Sequence, residues 1–402
     1  MTTGSMKVSR GRVNWLASWL TPLLASLGYL FFWPIPVEPQ GWHAPKDKGY
    51  NGPHVRNEWL SGLNQVQLGA GQEGPEYIAR HGDVLYTGLS NGDVLSLSTD
   101  GAQQAVVANT GGRPLGLAVA ADGSLLVADA MRGLLRIRGQ GAQAHIDTLL
   151  TEVDHPVAHD PVRYADAVEV SPDGRIWLTD ASRRFGAKAL GSTFEASVLD
   201  ILEHSCTGRV IVLDAQGGQP KVALAGLCFP NGMVFSQDGQ HMFLAETGTF
   251  RVLKVDQAKL ATVRAADPAG VPRMEEVLQQ GAAVVLLDNL PGYPDNLTRG
   301  EEGRIWVGLT KPRSPVLDMS AEHPWVRSLT LRLPRSLWPV PKAYGHVIAF
   351  NEAGRIVADL QDPTGAYPET TSATEANGRL FIQSLHAHTM GWKPYLASLQ
   401  PH

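Results

Sequence analysis

The chain has 402 residues, 43% of them hydrophobic and 18% charged, with 42 glycines and 27 prolines. That is ample apolar material for one large domain or two smaller ones, and the turn-forming content points to many short elements. A net charge of -5, with no face rich in Lys or Arg, argues against a nucleic-acid partner.

In chain order, Lys7, Arg10 and Arg12 precede an uncharged, mostly apolar run from Val13 to Trp33. A helix of that length would span about 30 Å, the thickness of a bilayer's hydrocarbon core. The run exceeds the apolar region of a cleavable signal peptide. It ends in Phe31-Phe32-Trp33-Pro34-Ile35-Pro36, with aromatics where an interfacial belt sits. Residues 1–37 therefore read as a short cytoplasmic tail and a single signal anchor, kinked at Pro22, with the main domain on the periplasmic or lumenal side. A secretion signal cleaved later is the alternative. A linker rich in Pro, Gly and polar residues follows over 38–73, and residues 74–402 form the main domain.

That domain carries an imperfect repeat: Gly, one further residue, then a short apolar strand. The six copies begin at Gly82, Gly123, Gly174, Gly239, Gly303 and Gly378, and most of these glycines follow Asp or Asn, a tight hairpin signal. Their intervals leave room for four strands per unit plus insertions. The pattern predicts an all-β fold, a six-bladed β-propeller closed by a shared last sheet and preceded by one N-terminal transmembrane helix. Helical patterning appears mainly in Phe194–Glu203, the Gln257–Gln280 insertion and Ala321–Leu337. The last of these, with Trp325 and Trp338 among basic residues, reads as a lid over one face or as a membrane-surface segment.

Cys206 and Cys228 lie equidistant from Gly217 in a predicted hairpin. A cross-strand disulfide is geometrically possible there in an oxidising compartment, and two buried thiols are the alternative.

In such a fold the loops opening the inner strands converge on a central channel. Oxygen ligands stand at matched places ahead of the repeats: Glu76, Asp166, Asn231 and the adjacent pair Asp295-Asn296. Three carboxylates and two amides make a hard-oxygen cage suited to one Ca²⁺, and three such charges would repel without a cation. Singly, each residue is a common turn former; the repetition is what singles them out.

Several segments resemble the strictosidine synthase-like and adipocyte plasma membrane-associated protein family, within the wider group of gluconolactonases and paraoxonases. They are Arg113-Pro114-Leu115-Gly116-Leu117, Phe229-Pro230-Asn231-Gly232, Leu290-Pro291-Gly292-Tyr293-Pro294-Asp295-Asn296, Leu333-Pro334-Arg335-Ser336-Leu337-Trp338, Tyr344-Gly345-His346-Val347 and Asp362-Pro363-Thr364-Gly365. The resemblance runs from about Gly74 to the C-terminus. It implies a six-bladed propeller with a central calcium on Glu76, Asp166, Asn231, Asp295 and Asn296 and, in several members, hydrolysis of lactones or aryl esters. The chain departs from the family pattern at three places. Asp166-Ala167 replaces an Asn-Asp pair, Thr371 stands where strictosidine synthases carry a catalytic Glu, and Leu115 stands where paraoxonases carry a His.

The expected function is that of a membrane-anchored, Ca²⁺-dependent hydrolase of small lactones or esters, with the metal polarising the carbonyl. Asp295 is the first candidate base, with His155 and His346 behind it and His159, His386 and His388 possible by chemistry. A non-catalytic binding propeller is the alternative, and Thr371 argues against an amine–aldehyde condensing enzyme. No Gly-x-Ser-x-Gly elbow, phosphate loop or zinc-ligand spacing occurs. Composition and pattern leave the substrate and the oligomeric state open.

Overall fold

Each repeat seen in the sequence folds as the second strand of a four-stranded antiparallel sheet in the computed structural model, which describes residues 10–338 and 340–395, with side chains from residue 19. Six such sheets are present among the described residues. Their first strands are Ile78–His81, Pro114–Val119, Ala165–Val170, Pro230–Phe235, Gly292–Arg299 and Thr370–Ala376. Each of these packs against the first strand of the next sheet, and the last returns to the first, so the sheets surround a central channel. The fold is all-β and of propeller type.

Two features of the sequence produce this arrangement. Asp or Asn followed by Gly turns the chain between first and second strands, with Gly123, Gly174 and Gly378 at φ of 79°, 84° and 72°. Glycine also allows neighbouring first strands to touch by their backbones. A Cβ on Gly232 would lie 2.1 Å from the Leu297 amide nitrogen, and one on Gly116 would lie 2.7 Å from the Ala167 Cα. Apolar side chains fill the wedges between sheets, as where Trp177, Val210 and Leu224 meet Met233, Phe235 and Leu244.

The sixth sheet holds three strands from the C-terminal end and a fourth, Asn64–Gln67, from the segment expected to be a linker. Val66 pairs with Met390 in this closing ladder. The strand escapes a sequence reading because Asn-Gln-Val-Gln is polar and only Val66 is buried. The rest of that segment straps the outside of the domain. Trp42 stacks on His204 with ring centroids 4.1 Å apart, and Leu60 is buried among the strands of the fifth and sixth sheets.

The insertions are helical where patterning put them, over Thr193–Glu203, Gln257–Leu260, Met274–Gln279 and Pro324–Arg332. Ser192 caps the first of these by accepting from the Glu195 amide. Cys206 and Cys228 form a disulfide across the base of the Gly208–Leu213 and Lys221–Leu227 hairpin.

The expected membrane span coincides with a helix, Arg10–Phe32, that contains Pro22. Among the described residues, however, no helix is long and apolar enough to cross a membrane. Lys7, the first basic residue of the expected tail, lies outside the described residues.

Candidate metal centre

All the residues expected to form the oxygen cage lie where the first strands begin. Glu76 stands two residues before Ile78–His81. Asp166 and Asn231 are the second residues of their strands, and Asp295-Asn296 lie within Gly292–Arg299. In the three strands that carry Asp166, Asn231 and Asp295-Asn296 the regular ladder breaks at that point. Register shifts fall between Ala165 and Val168, between Pro230 and Met233, and between Pro294 and Leu297. Such a bulge re-aims side chains away from the normal alternation, here toward the channel. The same irregularity occurs between Pro114 and Leu117 and between Thr370 and Ala373. Leu115 and Thr371 therefore occupy the equivalent places in their own sheets without supplying a carboxylate.

Glu76, Asp166, Asn231 and Asp295 line one cavity of about 240 Å³. Asn296 is completely buried beside it and donates from its amide nitrogen to Glu76 Oε1 at 3.1 Å and to the Glu76 carbonyl at 3.0 Å. The Thr371 hydroxyl donates to the same carbonyl at 2.5 Å. It holds Glu76 in place and serves no acid or base role.

Each of the five side chains has one oxygen shut off from solvent without a hydrogen-bond partner: Glu76 Oε2, Asp166 Oδ1, Asn231 Oδ1, Asp295 Oδ1 and Asn296 Oδ1. An orphaned buried oxygen is destabilising by about 1–3 kcal/mol, so five around one cavity call for a common partner. The donors are all oxygen, which fits a hard divalent cation rather than one that selects sulfur or imidazole.

Electrostatics point the same way. Burial pushes the Glu76 carboxyl from 4.5 up to about 7, against the pull of Arg113 and Asn296. Asp166 is held well above the ordinary carboxylate range, first by burial and then by the Glu76 and Asp295 charges. Asp295 is raised in the same way by burial and by Glu76. Arg113 supplies the only guanidinium or ammonium group among the residues lining the cavity, against four carboxylates, those of Glu73, Glu76, Asp166 and Asp295.

Asp295 also lines a second, apolar chamber of about 140 Å³ that adjoins the first. Val198 and Ile201 of helix Thr193–Glu203, Tyr293, Leu317, Trp338 and Val340 supply its walls. A larger cavity, of about 580 Å³, opens at the other end of the same first strands, near Val119, Val170, Ser236 and Glu375. It contains none of the five oxygen ligands.

The histidines divide clearly. His155 is exposed on a loop and does not line the cavity. His346 is buried in a separate network, where its Nε2 lies 3.0 Å from Asp359 Oδ2 and His54 Nδ1 lies 2.7 Å from the same oxygen. Neither is placed to serve the oxygen cage. Among the histidines, His386 lines that cavity. Its partner Glu369, and Lys311 beyond it, escaped the sequence reading because no local motif links the three.

The sequence profile of the SMP-30/Gluconolactonase/LRE-like region matches residues 72–322. The chain is 26% identical to adipocyte plasma membrane-associated protein of Danio rerio over 99% of this chain and 92% of that one. It is 30% identical to strictosidine synthase-like protein 7 of Arabidopsis thaliana over 78% of this chain and 75% of that one. Among solved structures, a gluconolactonase from Xanthomonas campestris superposes with a TM-score of 0.50 at 17% identity, covering 91% of this chain and 99% of that one. A luciferin-regenerating enzyme gives 0.51 at 14% identity, over 82% and 94%. These structural likenesses concern the fold. The profile match spans more than half of the sequence, and the chain belongs to the SMP-30/gluconolactonase/LRE-like family.

Proposed function

We propose that this protein is a Ca²⁺-dependent hydrolase of small lactones or aryl esters, built as a six-bladed propeller over residues 74–402 and completed by the strand Asn64–Gln67. The observation that carries the reading is the set of five buried, unpartnered oxygens opening beside an apolar chamber. The cage of Glu76, Asp166, Asn231, Asp295 and Asn296 suits Ca²⁺, which takes many oxygen ligands in flexible geometry. When bound, Ca²⁺ supplies Lewis-acid polarisation of the substrate carbonyl. Asp295 faces both cavities, so a carbonyl at their junction would place its acyl or aryl part against Tyr293 and Ile201. Those side chains exclude water from the apolar part of the substrate, which strengthens electrostatic interactions at the reacting carbon.

The helix Arg10–Phe32 supports attachment to a membrane, for Trp19, Leu23, Leu24, Phe31 and Phe32 are exposed apolar side chains on it. The Cys206–Cys228 disulfide suits an oxidising, extracytoplasmic compartment. The decisive experiment is hydrolysis of a lactone and aryl ester panel by the full chain. Activity should vanish with chelator and return with Ca²⁺, and the full chain should float with lipid vesicles. A calcium-loaded protein that turns over nothing in the panel refutes the hydrolase reading.

A second reading is favoured by Leu115 and Thr371, which put no acid or base at two of the bulged positions. In that case the propeller binds a ligand or partner without chemistry, and chelation lowers its melting temperature with no substrate consumed.

A further inference from the structure

We propose that His386, oriented by Glu369, is the general base that takes the proton from the attacking water; the assignment rests on the hydrolase reading above. His386 lines the cavity that also holds Glu76, Asp166, Asn231 and Asp295. Its Nδ1 is engaged by Glu369 Oε2, and its Nε2 makes no hydrogen bond among the described residues. The Glu369 carboxylate therefore selects the tautomer with the proton on Nδ1 and leaves Nε2 free to accept one.

The support for that carboxylate is itself built. Lys311 Nζ lies 2.5 Å from Glu369 Oε1, so each carboxylate oxygen has a cationic or donor partner. Burial would raise the Glu369 pKa, but the bonds to His386 and Lys311 outweigh it and hold the group at about 2. Glu369 thus stays anionic at any working pH. The ring is fixed from other sides as well. Ser384 Oγ accepts from the His386 amide at 3.3 Å, and the Phe194 ring stands edge-on with centroids 6.1 Å apart. The half-exposed imidazole keeps contact with solvent, where a water nucleophile enters.

The other histidines lack this combination. His346 is locked against Asp359, His159 is exposed beside Glu152, and His388 is exposed beside Glu73. Asp295, which faces the cage with an unpartnered oxygen, is more useful there as a ligand than as a base. The charged groups facing His386 are Glu369 and, through it, Lys311. Asp295 sits across the cavity, and the Glu73–His388 pair lies at its rim.

In the step assigned to it, Nε2 accepts a proton from water as the water oxygen bonds to the carbonyl carbon and the carbonyl π electrons move to oxygen. Collapse of that species breaks the bond to the leaving oxygen, and His386 returns the same proton to it. An ester gives a carboxylic acid and an alcohol or phenol, a lactone gives one opened hydroxy acid, and the carboxyl group ionises in solution.

His386→Gln should lower kcat by about 10²–10⁴-fold and abolish the acidic limb of the pH profile. Melting temperature and Ca²⁺ affinity should stay unchanged. Glu369→Gln should lower kcat by about 10-fold or more with little change in KM, because the imidazolium formed in the step loses its anionic partner. Added imidazole should restore part of the activity of His386→Ala. Independently of turnover, ¹⁵N NMR of the protein should show the His386 ring protonated on Nδ1 at neutral pH. An active wild-type enzyme whose His386→Gln variant keeps its rate and acidic limb overturns the base assignment alone. A wild-type enzyme inactive on every ester and lactone overturns the hydrolase reading, and this inference with it.

Discussion

Replacing Glu76 with Gln separates two roles that one carboxylate plays in the cage. Without metal, the group is buried with its pKa raised from 4.5 to about 7. The folded value lies above that of the unfolded chain. The stability contributed by the protonated form is therefore full below 4.5 and lost as pH rises through about 7. At pH 8 the ionised group destabilises the metal-free fold by about 3 kcal/mol. Glu76→Gln removes the charge and keeps an oxygen for the Asn296 amide. In chelator at pH 8 the variant should be more stable by about that amount, which for a folded unit of roughly 300 residues is about 4–5 °C in melting temperature. In Ca²⁺ at about one thousand times the wild-type Kd the order should invert, since wild type then gains about 4.1 kcal/mol of binding free energy and the variant has lost a charged ligand. Differential scanning calorimetry with and without Ca²⁺ reads both signs. If the variant is destabilised equally in both conditions, Glu76 is only a hydrogen-bond acceptor and the cage is wrong.

Three further outcomes follow from the packing. Arg209 is buried with Asp160 Oδ2 at 2.7 Å and Asp180 Oδ2 at 2.9 Å. Arg209→Met should therefore lose about 3–5 kcal/mol in urea unfolding, and a change below about 1 kcal/mol would contradict that pairing. His204, stacked on Trp42, has its pKa lowered from 6.5 to about 3, first by burial and then by the Arg327 and Arg251 charges. Its stabilising contribution is present above 6.5 and lost as pH falls toward 3, so His204→Phe should flatten the decline in melting temperature between pH 7 and 4. Gly232→Ala would bring a methyl group to 2.1 Å from the Leu297 nitrogen. It should lower stability by at least about 1–3 kcal/mol and weaken Ca²⁺ binding, both measured by thermal shift; retention of both would mean that the first strands adjust freely.

What the sequence disclosed depended on how local the signal was. The second strand of every sheet was legible because a turn glycine, in most copies after Asp or Asn, and a short apolar run sit within a few residues of each other. The first strands were harder to see. Bulges at Asp166, Asn231 and Asp295-Asn296 interrupt their alternation with polar residues, so they read as loops carrying ligands. That reading still picked out oxygens that the fold gathers around one cavity, because recurrence at one place in a repeat survives the loss of strand pattern. The closing strand Asn64–Gln67 left no trace, being short and polar. Nor did Lys311 and Glu369; His386 was one of several histidines suitable by chemistry, and only folding brings the three together. His346 and His155 show the reverse error: a suitable side chain chosen by chemistry, one committed to Asp359 and the other exposed on a loop.

Pairing of Val66 with Met390 has a consequence for the order of events during synthesis. A nascent chain holds Glu76 from early on, but the circle cannot shut until the stretch around Thr389–Pro394 has left the ribosome. Until then Asp295 and Asn296 have no fixed position relative to Glu76, and the five-oxygen cavity is incomplete. Any cation site there is thus completed only by the pairing of Asn64–Gln67 with Thr389–Pro394, in whichever compartment that pairing takes place.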